Sequence, residues 1–396
     1  MVELNAIISF IIVFIGFGIG IGVGTVILGN STVNCSTLPA DNTISNPNYN
    51  TIIATIALAA TNQGIAYDST HNRMYVAGFF QSNLKVIDVN TNTIIDTVSI
   101  GSNPRHIAFA SSNNTLWVTR AGGTVAVINT TTNLSIANVT VGIDPYDIKY
   151  VASLNRMYVT NNGGNSVSVI AVNNNTVIAT IPVISGPQGL EFASSNNTLY
   201  VLNNNPDTIS IINTTTNTVI QNITNVDTGI LIDIDYDPSR NRMYASNGDS
   251  GHTVKVINVS SASVITEISV PNSDMYGIIY STPNDSMYVA APSTDATPSI
   301  EVISASTLSI YKTINIIGAS QPIFFAQALN NNIYMTSQNG QVYVVDTNPT
   351  VSSTNSWRAT CESAQTQTQV AYALLVISLI VIAAVVIFVV LRELTT

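Results

Sequence analysis

Apolar and polar residues alternate along most of this chain in short runs, and Asn, Gly, Ser, Thr or Pro ends each run. Arg105 to Ala110 is a clear example, with Ile107 and Phe109 on one face, and Ser111 to Asn114 then turns the chain. Thr115 to Arg120, Thr124 to Asn129 and Leu134 to Val141 follow, separated by Ala121-Gly122-Gly123 and by Thr130 to Asn133. A period of two in β-branched and aromatic residues predicts strands, and the intervening clusters predict tight turns. The pattern therefore predicts a unit of four short antiparallel strands.

The unit repeats. Met74-Tyr75-Val76, Leu116-Trp117-Val118, Met157-Tyr158-Val159, Leu199-Tyr200-Val201, Met243-Tyr244-Ala245, Met287-Tyr288-Val289 and Ile333-Tyr334-Met335 start 42, 41, 42, 44, 44 and 46 residues apart. Seven copies at this period predict an all-β, seven-bladed β-propeller. The seventh copy, Gln321 to Asp346, stops after its third strand, while a spare strand, Thr51 to Leu58, precedes the first copy. That N-terminal strand is expected to complete the last blade, since ring closure removes two exposed sheet edges.

Met157-Tyr158-Val159-Thr160-Asn161, then a V-x-V-I strand at Val167 to Ile170 and Asn175-Thr176-Val177-Ile178, resembles the YVTN-type β-propeller repeat (WD40/YVTN-like repeats). That family is frequent among archaeal cell-surface and surface-layer-associated proteins. The resemblance covers residues 51–347; only the third copy spells the whole motif, and the others match in spacing and strand order. It implies the fold strongly and an activity weakly, because propellers host unrelated functions.

The ends change the picture. Ala6 to Leu28 and Val370 to Leu391 carry no charge until Arg392, and each is long enough to cross a bilayer as a helix. The first lacks a basic n-region and a clear cleavage site, so a retained anchor is expected rather than a signal peptide. Gly16, Gly18, Gly20, Gly22 and Gly24 fit either close helix packing or ordinary tolerance of Gly in membrane helices. The expected organisation is residues 1–5 as a cytoplasmic tail, 6–28 and 370–391 as membrane spans, and 29–50 and 348–369 as extracellular stalks. Residues 51–347 form the propeller and 392–396 a second cytoplasmic tail.

Composition supports an outward-facing propeller. Charged residues are only 9% of the chain, against roughly a quarter in ordinary soluble domains. N-x-S/T acceptors stand at Asn30, Asn34, Asn113, Asn129, Asn133, Asn138, Asn174, Asn196, Asn213, Asn222, Asn258 and Asn284. So many acceptors with two flanking cysteines predict a glycosylated domain outside the cell membrane. Cys35 and Cys361 are expected to form a disulfide that clamps the stalk. A net charge of −10 excludes a nucleic-acid partner, which needs a basic footprint. Few carboxylates also predict a surface insensitive to acid.

The search for chemistry returns little. The three histidines, His71, His106 and His252, make no metal-binding pair, no C-x-x-C is present, and no nucleophile elbow or phosphate loop occurs. No catalytic residue, metal or cofactor is expected. Asp233 and Asp235 face one side of a strand, as a cation site or as ordinary polar positions. Residues beginning the innermost strands are expected to line the channel mouth: Arg105, His106, Tyr146, Asp147, Gln188, Asp233 and Tyr276.

Turns joining first to second and third to fourth strands share one propeller face, which would carry the membrane stalk, Asn113, Asn129, Asn133, Asn174, Asn196, Asn213, Asn258 and Asn284. The opposite face would carry the funnel and the polar loops Asn161–Asn165, Asn203–Asp207 and Asn247–His252. The reading favoured is a non-catalytic binding, adhesion or envelope-interaction module that recognises carbohydrate or an envelope protein. The alternative, drawn from similar propellers, is an extracytoplasmic enzyme, either lactonase-like or a quinone- or metal-dependent oxidoreductase.

Overall fold

In the computed structural model, residues 43–352 are described except residue 47 and the loop positions 59–61, 102, 225, 227–228, 249–251, 271–273, 293–296 and 317–320. The apolar runs 6–28 and 370–391, Cys35, Cys361, Asn30, Asn34 and most of both stalks lie outside the described residues. Among the described residues no helix is long and apolar enough to cross a membrane.

Seven four-stranded antiparallel sheets follow one another along residues 51–346. Blade 1 contains Asn62–Asp68, Arg73–Gly78, Asn83–Asp88 and Thr93–Ser99. Blades 2 to 6 start at Pro104–Ala110, Pro145–Val151, Ser185–Ala193, Leu231–Asp237 and Ile278–Ser281. Blade 7 is Pro322–Gln327, Ile333–Ser337 and Gln341–Asp346, with Thr51–Ala57 added as its outer strand. The expected closure is present: Thr51 pairs with Asp346 and Ala57 with Gln341. The observed strand stops one residue short of Leu58, whose N–H instead donates to the Gly340 carbonyl at 2.7 Å.

The core is divided. Each of seven apolar clusters sits at one junction between neighbouring blades. At the closing junction, Ile56 and Leu58 join Val76 and Ile87 of blade 1 and Val342 and Val344 of blade 7. The repeated aromatic explains itself here: Tyr75, Trp117, Tyr158, Tyr200, Tyr244, Tyr288 and Tyr334 are all fully buried. Most of the tyrosines reach the outer turn of the next blade. The Tyr334 hydroxyl donates to the Val89 carbonyl at 3.2 Å and to Asn92 Oδ1 at 2.6 Å. Tyr75 likewise donates to Asn133 Oδ1 at 2.8 Å. Asn92, Asn133, Asn175 and Asn217 occupy left-handed backbone at these turns, with φ of 54° to 57°. Asn tolerates that conformation better than other side chains bearing a Cβ, which accounts for part of the chain's Asn content.

Each outer strand carries a bulge at its third residue: Ile53, Ile95, Ile136, Ile178, Ile220, Ile265 or Tyr311. A bulge twists an otherwise free edge and blunts edge-to-edge pairing.

The innermost strands are joined in two ways. At four junctions a hydroxyl on the second strand accepts from an inner-strand N–H and donates to the next blade's inner-strand carbonyl. Thr119 links the His106 N–H to the Tyr146 carbonyl, and Thr160 links the Asp147 N–H to the Gln188 carbonyl. Ser246 joins Asp233 to Tyr276, and Thr336 joins Phe324 to Gln63. At the other three junctions the residue equivalent to His106 is Gly64, Gly189 or Gly277, and the hydroxyl is replaced by Ala77, Leu202 or Ala290. A Cβ on Gly64 would lie 2.5 Å from the Arg105 carbonyl oxygen, and one on Gly277 would lie 2.3 Å from that of Ile323. Glycine therefore admits the neighbouring backbone where no side-chain bridge is used.

Candidate functional site

The inner strands surround a central cavity of about 360 Å³. An innermost strand pairs with one neighbour only, so its other edge presents N–H and C=O groups that need partners. Side chains at alternate positions point to the same side. The third residues of four of these strands, His106, Asp147, Asp233 and Phe324, line the cavity, and Lys149, Asp235 and the equivalent Glu191 line it two positions further on.

Four of the seven expected mouth residues form one contiguous group. Arg105 Nη2 contacts Asp144 Oδ1 at 2.9 Å, and its guanidinium carbon lies 5.4 Å from the centre of the Tyr146 ring. The His106 ring is 4.9 Å from that of Tyr146 and 4.4 Å from that of Phe324, the latter edge-on. His106 Nδ1 meets Asp147 Oδ1 at 3.1 Å, which orients the imidazole. Its Nε2 is buried and has no hydrogen-bond partner. Burial, reinforced by the Asp147 charge, pushes the Tyr146 hydroxyl above its ordinary range.

The remaining three behave differently. Asp233 lines the cavity beside Asp147, and burial followed by that neighbouring carboxylate holds its pKa well above the ordinary value. Tyr276 packs against the apolar cluster that contains Phe324. Gln188 enters the arrangement through its backbone carbonyl, which accepts from Thr160.

The carboxylates are structural clips as well as charges. Asp147 accepts from its neighbour Ile148 N–H at 2.7 Å and from Leu190 N–H of the next blade at 3.1 Å. Asp233 repeats this with Ile234 at 2.9 Å and Ile278 at 3.0 Å, and Asp235 with Tyr236 at 2.9 Å and Tyr280 at 2.7 Å. Each clip satisfies a free inner edge and ties two blades together. The cation-site reading of Asp233 and Asp235 is thus replaced by an architectural one. Among the described residues no group of three or more His, Cys, Asp or Glu side chains is arranged to hold a metal ion.

Lys149 and Glu191, not singled out from the sequence, form a cross-blade ion pair inside this layer. Burial pushes Glu191 up to about 7 although the Lys149 charge opposes it, and Asp235 adds to the rise. Asp235 is also raised, by burial against the pull of Lys149. Burial works against the charged form of Lys149, but Glu191, Asp235 and Asp147 together raise its pKa. The available signal was the period of two: Lys149 and Asp235 stand two residues beyond Asp147 and Asp233 on the same strand face.

The polar loops are less open than their composition indicates. Asn161, Asn203 and Asn247, which begin the three loops named above, are all buried. Asn161 Oδ1 accepts from Gly142 N–H at 3.0 Å, and its Nδ2 donates to Ser166 at 3.1 Å and Ser168 at 3.0 Å.

The glycosylation candidates separate by environment. Asn113, Asn138, Asn174, Asn196 and Asn222 are exposed, while Asn129, Asn133, Asn213, Asn258 and Asn284 are half-buried. Asn284 Nδ2 donates to the Tyr288 hydroxyl, and Asn133 Nδ2 donates to Asp96 Oδ2 at 2.7 Å. The inner and outer turns do share a face, since Thr130 N–H donates to the Asn114 carbonyl at 3.0 Å and Thr214 N–H to that of Asn197 at 3.1 Å. Asn50 and Asp346 lie on the same side, joined at 2.8 Å.

Compared with known proteins, the chain matches no protein-family model and no curated protein.

Proposed function

We propose that this chain is a membrane-anchored cell-surface propeller that recognises carbohydrate or an envelope protein through its channel mouth, without catalysis. The observation that carries this reading is the contiguous group Arg105, Tyr146, His106 and Asp147, drawn from two blades and held by mutual contacts. A guanidinium beside a half-exposed tyrosine ring offers both charge and a flat stacking surface. The apolar runs 6–28 and 370–391 support anchoring, and the N-x-S/T acceptors support an extracellular, glycosylated propeller. The YVTN-type repeat resemblance agrees with that setting.

The test uses the full chain in detergent, presented to envelope polysaccharides and to immobilised envelope proteins. Wild type is expected to be retained on one of them, and Arg105→Ala with Tyr146→Ala is expected to abolish retention while the far-UV spectrum is unchanged. Equal retention of the double variant would exclude the mouth as the recognition site. A second reading, an extracytoplasmic enzyme, draws on the Asp147–His106 pair, since a carboxylate-oriented imidazole is also a general-base arrangement. Turnover of a lactone that His106→Phe abolishes would favour it.

A further inference from the structure

The cavity lining contains more acceptors than donors. Asp147, Glu191, Asp233 and Asp235 face a single ammonium, that of Lys149, which is already paired with Glu191. In its neutral form His106 adds an acceptor, since an Nδ1–H directed to Asp147 leaves Nε2 a lone pair. That nitrogen is the outstanding debt of the site, because its side chain is only 10% exposed and Nε2 has no partner. A buried acceptor without a partner costs stability unless a ligand or water supplies the donor.

Aromatic rings complete the wall. His106 and Phe324 meet edge-on at 4.4 Å, and Phe109 lines the same cavity. A ring face attracts a cation through its quadrupole. Arg105 already uses Tyr146 in this way at 5.4 Å. Negative field, aromatic wall and one unpartnered lone pair suit a compact organic cation.

A metal ion suits the site poorly. Hard cations need several convergent oxygens, whereas the oxygens of Asp147, Asp233 and Asp235 are each turned onto a backbone N–H. These carboxylates supply field, and the contact falls to His106 and the rings.

We infer that the central channel binds a small aliphatic ammonium ligand, a primary amine or diamine, with an N–H donated to His106 Nε2 and the cation held against the aromatic wall. This inference rests on reading the channel as a binding site, and His106 belongs both to the mouth group and to the cavity lining.

The test is calorimetric titration of the full chain in detergent with 1,4-diaminobutane, its neutral isostere 1,4-butanediol, and magnesium chloride. The diamine is expected to bind, the diol and magnesium to bind at least about tenfold more weakly, as loss of a charge-assisted contact implies. His106→Phe keeps the ring stack and removes the acceptor; it should weaken the diamine about tenfold or more. Diol binding equal to diamine binding, or an undiminished diamine affinity in folded His106→Phe, would overturn the inference. Stronger magnesium binding would overturn it in favour of a metal site. Retention on polysaccharide or envelope protein, measured on the same wild-type preparation, separates the two claims. Diamine binding without any mouth-dependent retention leaves the inference standing and removes the recognition reading; retention without diamine binding does the reverse.

Discussion

The Thr336 hydroxyl of the last blade donates to the Gln63 carbonyl of the first at 2.9 Å, while accepting from Phe324 N–H at 3.2 Å. One oxygen thus closes the inner ring, as the strand Thr51–Ala57 closes the outer one. The same bridge recurs at Thr119, Thr160 and Ser246, so closure uses the chemistry of an ordinary junction.

Thr336→Val removes that hydroxyl and keeps the shape. It strands a buried N–H and a carbonyl, so it should cost about 1–3 kcal/mol. Thr336→Ser should restore most of the loss, and denaturant unfolding followed by tryptophan fluorescence measures both. A Val variant as stable as wild type would mean that the bridge contributes nothing net.

Gly64→Ala and Gly277→Ala should each destabilise by about 1–3 kcal/mol through overpacking against the next blade's backbone. Gly122 provides the control, because a Cβ there meets nothing within 4 Å. Gly122→Ala should leave the melting temperature essentially unchanged. Equal effects at all three positions would contradict the close-approach argument.

Two tyrosines at equivalent positions should respond differently to loss of the hydroxyl. Tyr334 donates to Val89 and Asn92, whereas the buried Tyr244 hydroxyl makes no such bond to the next blade and has Arg242 of its own strand beside it. Tyr334→Phe should cost about 1 kcal/mol. Tyr244→Phe should cost less, because its hydroxyl makes no bond to the next blade. Chemical denaturation of the pair decides the matter.

Acid should stabilise this fold before it harms it. Glu191, raised to about 7, and the raised Asp233 and Asp235 all bind protons more readily folded than unfolded. Stability from such groups is fully present below their unfolded values and is lost as pH rises through the folded ones. Melting temperature should therefore climb between about pH 7 and about pH 4.5, the ordinary carboxyl range. Asp285, lowered chiefly by its bond to Arg240, works in the opposite sense, and its contribution disappears only as pH falls below the ordinary Asp value of 3.8. Glu191→Gln should flatten the upper part of the profile. A melting temperature that drops steadily from neutral pH would refute this account.

If the propeller is glycosylated as proposed, glycan mapping of the chain from its native source should find sugars at exposed Asn113, Asn174 and Asn196. Asn284 should be empty, because its Nδ2 is already donated to Tyr288. Occupancy at Asn284 together with vacancy at the exposed three would reverse the ordering by accessibility.

Seven blades, their strand order and the closing role of Thr51–Ala57 were legible in the sequence, because strand alternation and turn residues are local properties repeated at a constant interval. His106 and Asp147 could be placed beside the central cavity for the same reason: a position repeated in every blade must lie at one radius. What lay beyond local pattern was decided by tertiary structure. Nothing in the sequence around Asp147 states that its two oxygens hold N–H groups of two different blades, or that Lys149 meets Glu191 some forty residues on. Nor does the letter Asn distinguish a glycan acceptor from Asn133, which accepts a hydrogen bond from Tyr75, or from Asn161, which is wholly buried. Those outcomes depend on which free edges the ring leaves inside it and on which polar groups the packed blades deprive of water, and both are set only when all seven blades are in place.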